Sequence, residues 1–148
     1  MKGFKFKLQS VLDAKNKKFE NTQLEFAKTQ SRLNLENKRL GFLHNDLEQT
    51  TTGLEYIIHS GGMDYTLIFC HQGYMSKLKK DIISQNELIK EVMAELDKKN
   101  KLMLEALKEK TMMEKLREKA LSEFKKNRER LDLINIDEIA TNRYKKAG

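Results

Sequence analysis

Along the first third of the chain one hydrophobic series recurs at a fixed interval. Leu12, Phe19, Phe26, Leu33, Leu40, Leu47 and Leu54 each fall seven positions after the one before. A large apolar residue at every seventh position marks the seam of a coiled coil, because a supercoiled helix returns it to the same face. The companion core slot, three residues on, carries Lys15, Thr22, Thr29, Glu36, Leu43, Thr50 and Ile57. So polar a companion series predicts an arm that is weak alone and needs a partner helix. A second seam runs Ile68, Met75, Ile82, Ile89, Leu96 and Met103, with companions His71, Leu78, Gln85, Val92, Lys99, Ala106 and Met113. Beyond Leu107 the spacing reads as slipped. Met113, Leu116, Ala120, Phe124 and Leu131 continue at threes and fours, which predicts a stutter that changes the winding without ending the helix.

Between the two seams lies Ser60-Gly61-Gly62-Met63-Asp64, with the one Gly-Gly pair of a proline-free chain. Glycine destabilises a helix interior by about 1 kcal/mol and turns freely, so the pair predicts a break. The expected fold is all-α: two long helices in an antiparallel coiled-coil hairpin with a C-terminal helical overhang. Arm 1 takes about residues 9–58, the turn about 59–65, arm 2 about 66–134 and a tail 135–148, all in one domain. Folding at residue 61 or 62 sets Leu47 beside Met75 or Ser76, Leu40 beside Ile82 or Ile83, and Leu33 beside Ile89 or Lys90, so the two seams meet. Ser10-Val11-Leu12-Asp13 resembles a capping box, and the helix is expected to start there or a turn earlier. Asn135-Ile136-Asp137-Glu138 has the same kind of pattern and marks a point where the second helix breaks or restarts. The run Thr50-Thr51-Thr52-Gly53 predicts a softened helix.

Leu35, Phe42 and Tyr56 lie two residues beyond seam positions, about 200° round the helix and away from the partner arm. They read either as a docking stripe or as scattered surface apolar residues. Composition supports a thin structure. With 39% hydrophobic and 34% charged residues there is too little apolar bulk for a layered core, while each helix has enough to bury one stripe. The net charge of +7 is unevenly placed. Residues 1–18 hold six Lys and one Asp, and residues 115–148 ten Lys and Arg against six acids. A hairpin brings both stretches to one end, which becomes a basic base drawn to acidic surfaces beneath a nearly neutral shaft.

The candidate chemistry is sparse. His44, His59, His71 and Cys70 have no metal-ligand spacing, and no phosphate-binding glycine loop or backed nucleophile is present. The chain reads as no enzyme and as needing no cofactor. A lone cysteine fits a reducing compartment, and the longest apolar run, Leu67-Ile68-Phe69-Cys70, is far short of a membrane span. A basic coiled coil can track nucleic acid, but these basic ends lack interleaved stacking aromatics and mix in Glu and Asp.

Four features resemble the FliJ family of flagellar type III export proteins. The opening Phe4-x-Phe6-x-Leu8-x-x-Val11-Leu12 is similar to the family's N-terminal pattern. The tip leads into Tyr74-Met75-Ser76-Lys77-Leu78, the second arm carries Lys115-Leu116-Arg117-Glu118-Lys119, and the close is Ile136-Asp137-Glu138-Ile139-Ala140. The resemblance implies a hairpin like the central stalk of rotary ATPases. It would sit in the hexameric export ATPase ring and promote its assembly and activity. It would also contact a membrane export gate protein and export chaperones, with no nucleic acid partner and no membrane insertion. The implied location is the cytoplasm, peripheral to the inner face of the cell membrane at the flagellar base. On the same basis Phe4, Phe6, Leu8, Lys15, Lys18, Lys119, Phe124, Arg128, Asp137 and Glu138 would meet the ring. Leu35, Phe42, Tyr56, Tyr74 and Leu78 would meet the gate or chaperones. A general cytoplasmic coiled-coil chaperone or scaffold is the alternative.

Overall fold

A computed structural model describes residues 3–61 and 64–147. Its elements are α1 (Gln9–His59) and α2 (Tyr65–Ala147), two long helices packed against each other. They gather into two compact units, described separately: one spans Thr22–Met103, and the other joins the N-terminal residues up to Asn21 with the chain from Leu104 on.

In the unit of residues 22–103 the pairing is antiparallel. As numbers rise along α1 they fall along α2: Glu25 meets Lys99 at 3.7 Å, Arg32 meets Glu95 at 3.3 Å, and Glu36 meets Gln85 at 2.6 Å. Gln85 and Lys99 lie one or two residues from the places the fold-over predicts. The seam slots are the covered ones, with Leu78, Ile82, Ile89 and Val92 buried. The polar companions are covered as well. Thr29 is buried with its hydroxyl donating to the Glu25 carbonyl at 2.9 Å, and Glu36 is only 5% exposed. Both buried polar companions are thus bonded, Thr29 within α1 and Glu36 to Gln85 of α2.

The break is built as its residues suggest. Ser60 N–H donates to the Tyr56 carbonyl, and Gly61 takes a φ of +75°, the left-handed geometry that ends helices and that glycine adopts without a Cβ clash. Asp64 caps α2: its side chain accepts from Leu67 N–H at 3.2 Å and its carbonyl from Ile68 N–H at 3.1 Å. Gly62 and Met63, which belong to the expected turn, lie outside the described residues. Thr50, Thr51 and Thr52 remain helical, each hydroxyl bonded back to the carbonyl four residues earlier at 2.7 to 2.9 Å. Such back-bonding bends a helix without breaking it.

In the other unit α1 starts at Gln9. Leu8 supplies the first helical carbonyl, to Leu12 N–H at 3.0 Å. Asp13 does not act as a capping-box acid; its carboxylate accepts from the Gln9 side chain at 3.0 Å. Leu12 and Ala106 are buried, and the arms again run in opposite directions, with Lys15 on Glu109 and Phe4 against Phe124.

Two expectations about α2 are corrected. Of the residues expected to continue the core after Leu107, Leu116 and Leu131 are exposed, while the seven-residue series from Met103 runs on through half-buried Lys110 and exposed Arg117 to half-buried Phe124. Lys110 Nζ lies 4.9 Å from the Phe19 ring centroid, and the Arg117 guanidinium lies 5.8 Å from that of Phe4. The basic residues lie on aromatic faces, so an apolar count alone misreads the register. Nor does the helix break at Asn135; α2 is continuous to Ala147. Neither glycine nor proline occurs between Tyr74 and Ala147, so a local cap pattern meets no interruption that it could exploit.

Candidate partner-binding surfaces

In the unit containing the termini, residues 3–8 precede the helix, with Phe4 and Phe6 half-buried and Leu8 exposed. The Phe4 and Phe124 rings stand 5.6 Å apart, tilted at 55°. An open groove forms between Phe4, Phe6 and Leu8 on one side and Leu116, Ala120 and Phe124 on the other, with Lys5, Lys7 and Lys119 at its edge. Phe4, Phe6, Leu8, Lys119 and Phe124, five of the sequence-predicted ring contacts, thus come together. Phe124→Ala removes a ring pair contributing roughly 0.5–1.5 kcal/mol beyond its buried area. The expected result is faster amide hydrogen exchange in residues 3–8 with little change in the main melting transition.

Lys15 and Lys18 belong to a different cluster. Both donate to Glu109 Oε2, at 3.0 and 3.1 Å. The hydrogen bond from Lys15, then that from Lys18, holds the Glu109 carboxyl below its usual range. A carboxylate lowered in the folded state stabilises that state at neutral pH, and the contribution disappears as acid protonates it. Glu109→Gln should therefore flatten the fall of melting temperature below about pH 4, and high salt should narrow the difference from the parent.

Beyond Phe124 nothing covers the helix. Every residue from Lys125 to Ala147 is exposed, among them Arg128, Asp137 and Glu138, and so are Leu131, Leu133, Ile134, Ile136, Ile139 and Tyr144. A bare helix carrying this many large apolar side chains is a surface suited to a partner.

In the unit of residues 22–103 the outer stripe is present. Leu35, Phe42 and Tyr56 are exposed, Phe42 at 69%. Tyr74 is also exposed and lines a small groove with Thr50, Leu67, Cys70 and His71. Leu78 must be withdrawn from the surface set. It is 2% exposed, because it occupies a companion core slot facing α1. Tyr65 and Phe69 were not singled out in the sequence, yet both are exposed near the turn. Their signal was position: Phe69 stands one residue off the seam at Ile68, and Tyr65 sits at the first turn of α2.

Charge separates the two units. Residues 22–103 hold eleven Lys and Arg and eleven Asp and Glu, so the net +7 resides in the other unit. Among the described residues no helix is long and apolar enough to cross a membrane.

A family model described as Flagellar FliJ protein matches residues 4–148. The chain belongs to this family. Membership makes it a component of the flagellar protein export apparatus, in a family associated with flagellum biogenesis rather than with catalysis. The FliJ match takes in the opening Phe4-to-Leu12 stretch and the closing stretch around Asp137 as well as both helices. Neither the curated proteins nor the solved structures provide a match.

Proposed function

We propose that this chain is a non-enzymatic helical hairpin that binds within the hexameric flagellar export ATPase, promotes its assembly and activity, and connects it to the membrane export gate and to export chaperones. The observation that carries this reading is the bare, apolar and basic end of α2, residues 125–147, on the unit that holds the net charge of +7. A ring of subunits offers a helix of this kind many contacts at once. A chain that binds assembled subunits better than separate ones shifts the equilibrium toward the ring by that difference in affinity. An asymmetric helix pair also meets each subunit differently and so biases their nucleotide states, with no chemical step in this chain. Leu35, Phe42, Tyr56 and Tyr74 are assigned to the gate or the chaperones. The chain would work in the cytoplasm, held peripherally at the inner membrane face through its partners.

The test is ATP hydrolysis by the export ATPase alone, with this chain, and with a form ending at Phe124. Stimulation by the full chain and none by the short form is the expected result. Equal rates in all three would overturn the proposal.

A further inference from the structure

The two seams of residues 22–103 match each other in more than one way. Leu33, Leu40 and Leu47 would meet Ile82, Ile89 and Leu96 about equally well if α2 moved by seven residues, and Thr22, Thr29 and Thr50 are interchangeable companions. Such a slip carries the turn along the chain by about one helical turn. The apolar pattern alone therefore leaves a set of pairings spaced by a heptad.

We infer that the Glu36 and Gln85 pair is a register lock, the contact that selects one of these pairings. Glu36 is buried in a companion slot, and both carboxylate oxygens are used. Gln85 Nε2 donates to Oε2 at 2.6 Å and to the Glu36 backbone carbonyl at 2.9 Å, while Arg39 donates to Oε1 at 3.0 Å. One heptad away on α2 in either direction stand Leu78 and Val92, the former 2% and the latter 1% exposed. A slip thus moves Glu36 from an amide donor onto an aliphatic side chain and leaves a buried carboxylate oxygen without its partner. That penalty is specific to the wrong registers. A single buried polar residue fixing coiled-coil register is the best-attested use of such groups. Two further cross-helix pairs of this unit, Arg32 with Glu95 and Lys99 with Glu25, are partly solvated at 3.3 and 3.7 Å and discriminate weakly.

The experiment uses the full chain with Cys70→Ser, which removes the exposed free thiol. Leu43→Cys with Leu78→Cys, one heptad from the lock on both helices, reports the observed register. Thr50→Cys with Leu78→Cys reports a slip one way, and Leu43→Cys with His71→Cys a slip the other way. Each pair is introduced into the Cys70→Ser chain, into the same chain with Glu36→Leu and Gln85→Leu, and into one with Glu36→Gln. Disulfide yield under mild oxidation is read on gels, with melting curves confirming that each form is helical and folded. The double leucine substitution should melt no lower than its parent while raising the yield of at least one slipped disulfide by about tenfold. Glu36→Gln retains a hydrogen-bonding partner for Gln85 and should give the parental pattern. Slipped yields that stay at the parental level in the double substitution would overturn the inference. So would a Glu36→Gln chain that slips as far as the leucine one.

Discussion

Val92→Asp should separate the helices of residues 22–103. Val92 is 1% exposed and sits in a core slot between Ile89 and Leu96 along α2. A carboxylate placed there has no donor within the seam, and burying it unpaired costs roughly 4 kcal/mol or more. Small domains have only about 5–15 kcal/mol in total, and a two-helix seam lies at the low end of that range. The loss is therefore comparable with the whole stability of the unit. Leu78→Ala, which leaves a cavity but no charge, should cost about 2–5 kcal/mol and lower the melting temperature without abolishing the transition. Phe42→Ala on the exposed outer stripe should stay within about 0.5 kcal/mol of the parent. Far-UV circular dichroism melts of the three variants give the comparison. A Val92→Asp protein that melts with Phe42→Ala would mean that the helices are held by something other than this seam.

The hairpin was legible because its information is local and repeated. Each member of the Leu12 to Leu54 series is apolar, so the seam can be read without knowing the partner, and the glycine pair with Asp64 marks the turn through backbone geometry alone. What was misread depends on contacts between residues far apart in the chain. Lys110 and Arg117 look like departures from the heptad until Phe19 and Phe4 are seen beneath them, because a long basic side chain can occupy a core slot while its head remains in water. Glu36 looks like a weak point, yet its donor is Gln85, on the other helix. Leu78 belonged to two sets at once, a core series by spacing and a surface set by resemblance, and burial decides for the core. For the candidate surfaces, periodicity showed that Leu35, Phe42 and Tyr56 point outward. Which partner they meet is not encoded in the energetics of this chain alone, since an exposed residue contributes little to its own fold.

The end of α2 should be separable from the fold it extends. Residues 125–147 are all exposed, so replacing Leu133, Ile136, Ile139 and Tyr144 with serine removes no buried side chain. Each substitution costs only a few tenths of a kcal/mol of helix propensity. The melting transition of the paired regions should therefore barely move. Binding to the export ATPase should change greatly. Large apolar groups buried at a partner surface contribute about 1.5–3 kcal/mol each, so losing even two of the four lowers affinity by two to four powers of ten. Stimulation of ATP hydrolysis should then vanish at concentrations that saturate with the parent chain and return only at much higher ones. Charge supplies the control. Reversing Arg128, Lys145 and Lys146 to glutamate should slow association and make it less sensitive to salt, because exposed basic groups act mainly by steering. If the serine chain stimulates hydrolysis as the parent does while the charge-reversed chain does not, the contact is electrostatic and the apolar face of residues 131–144 has another use. If neither chain loses stimulation, the bare end of α2 is not what the ATPase holds.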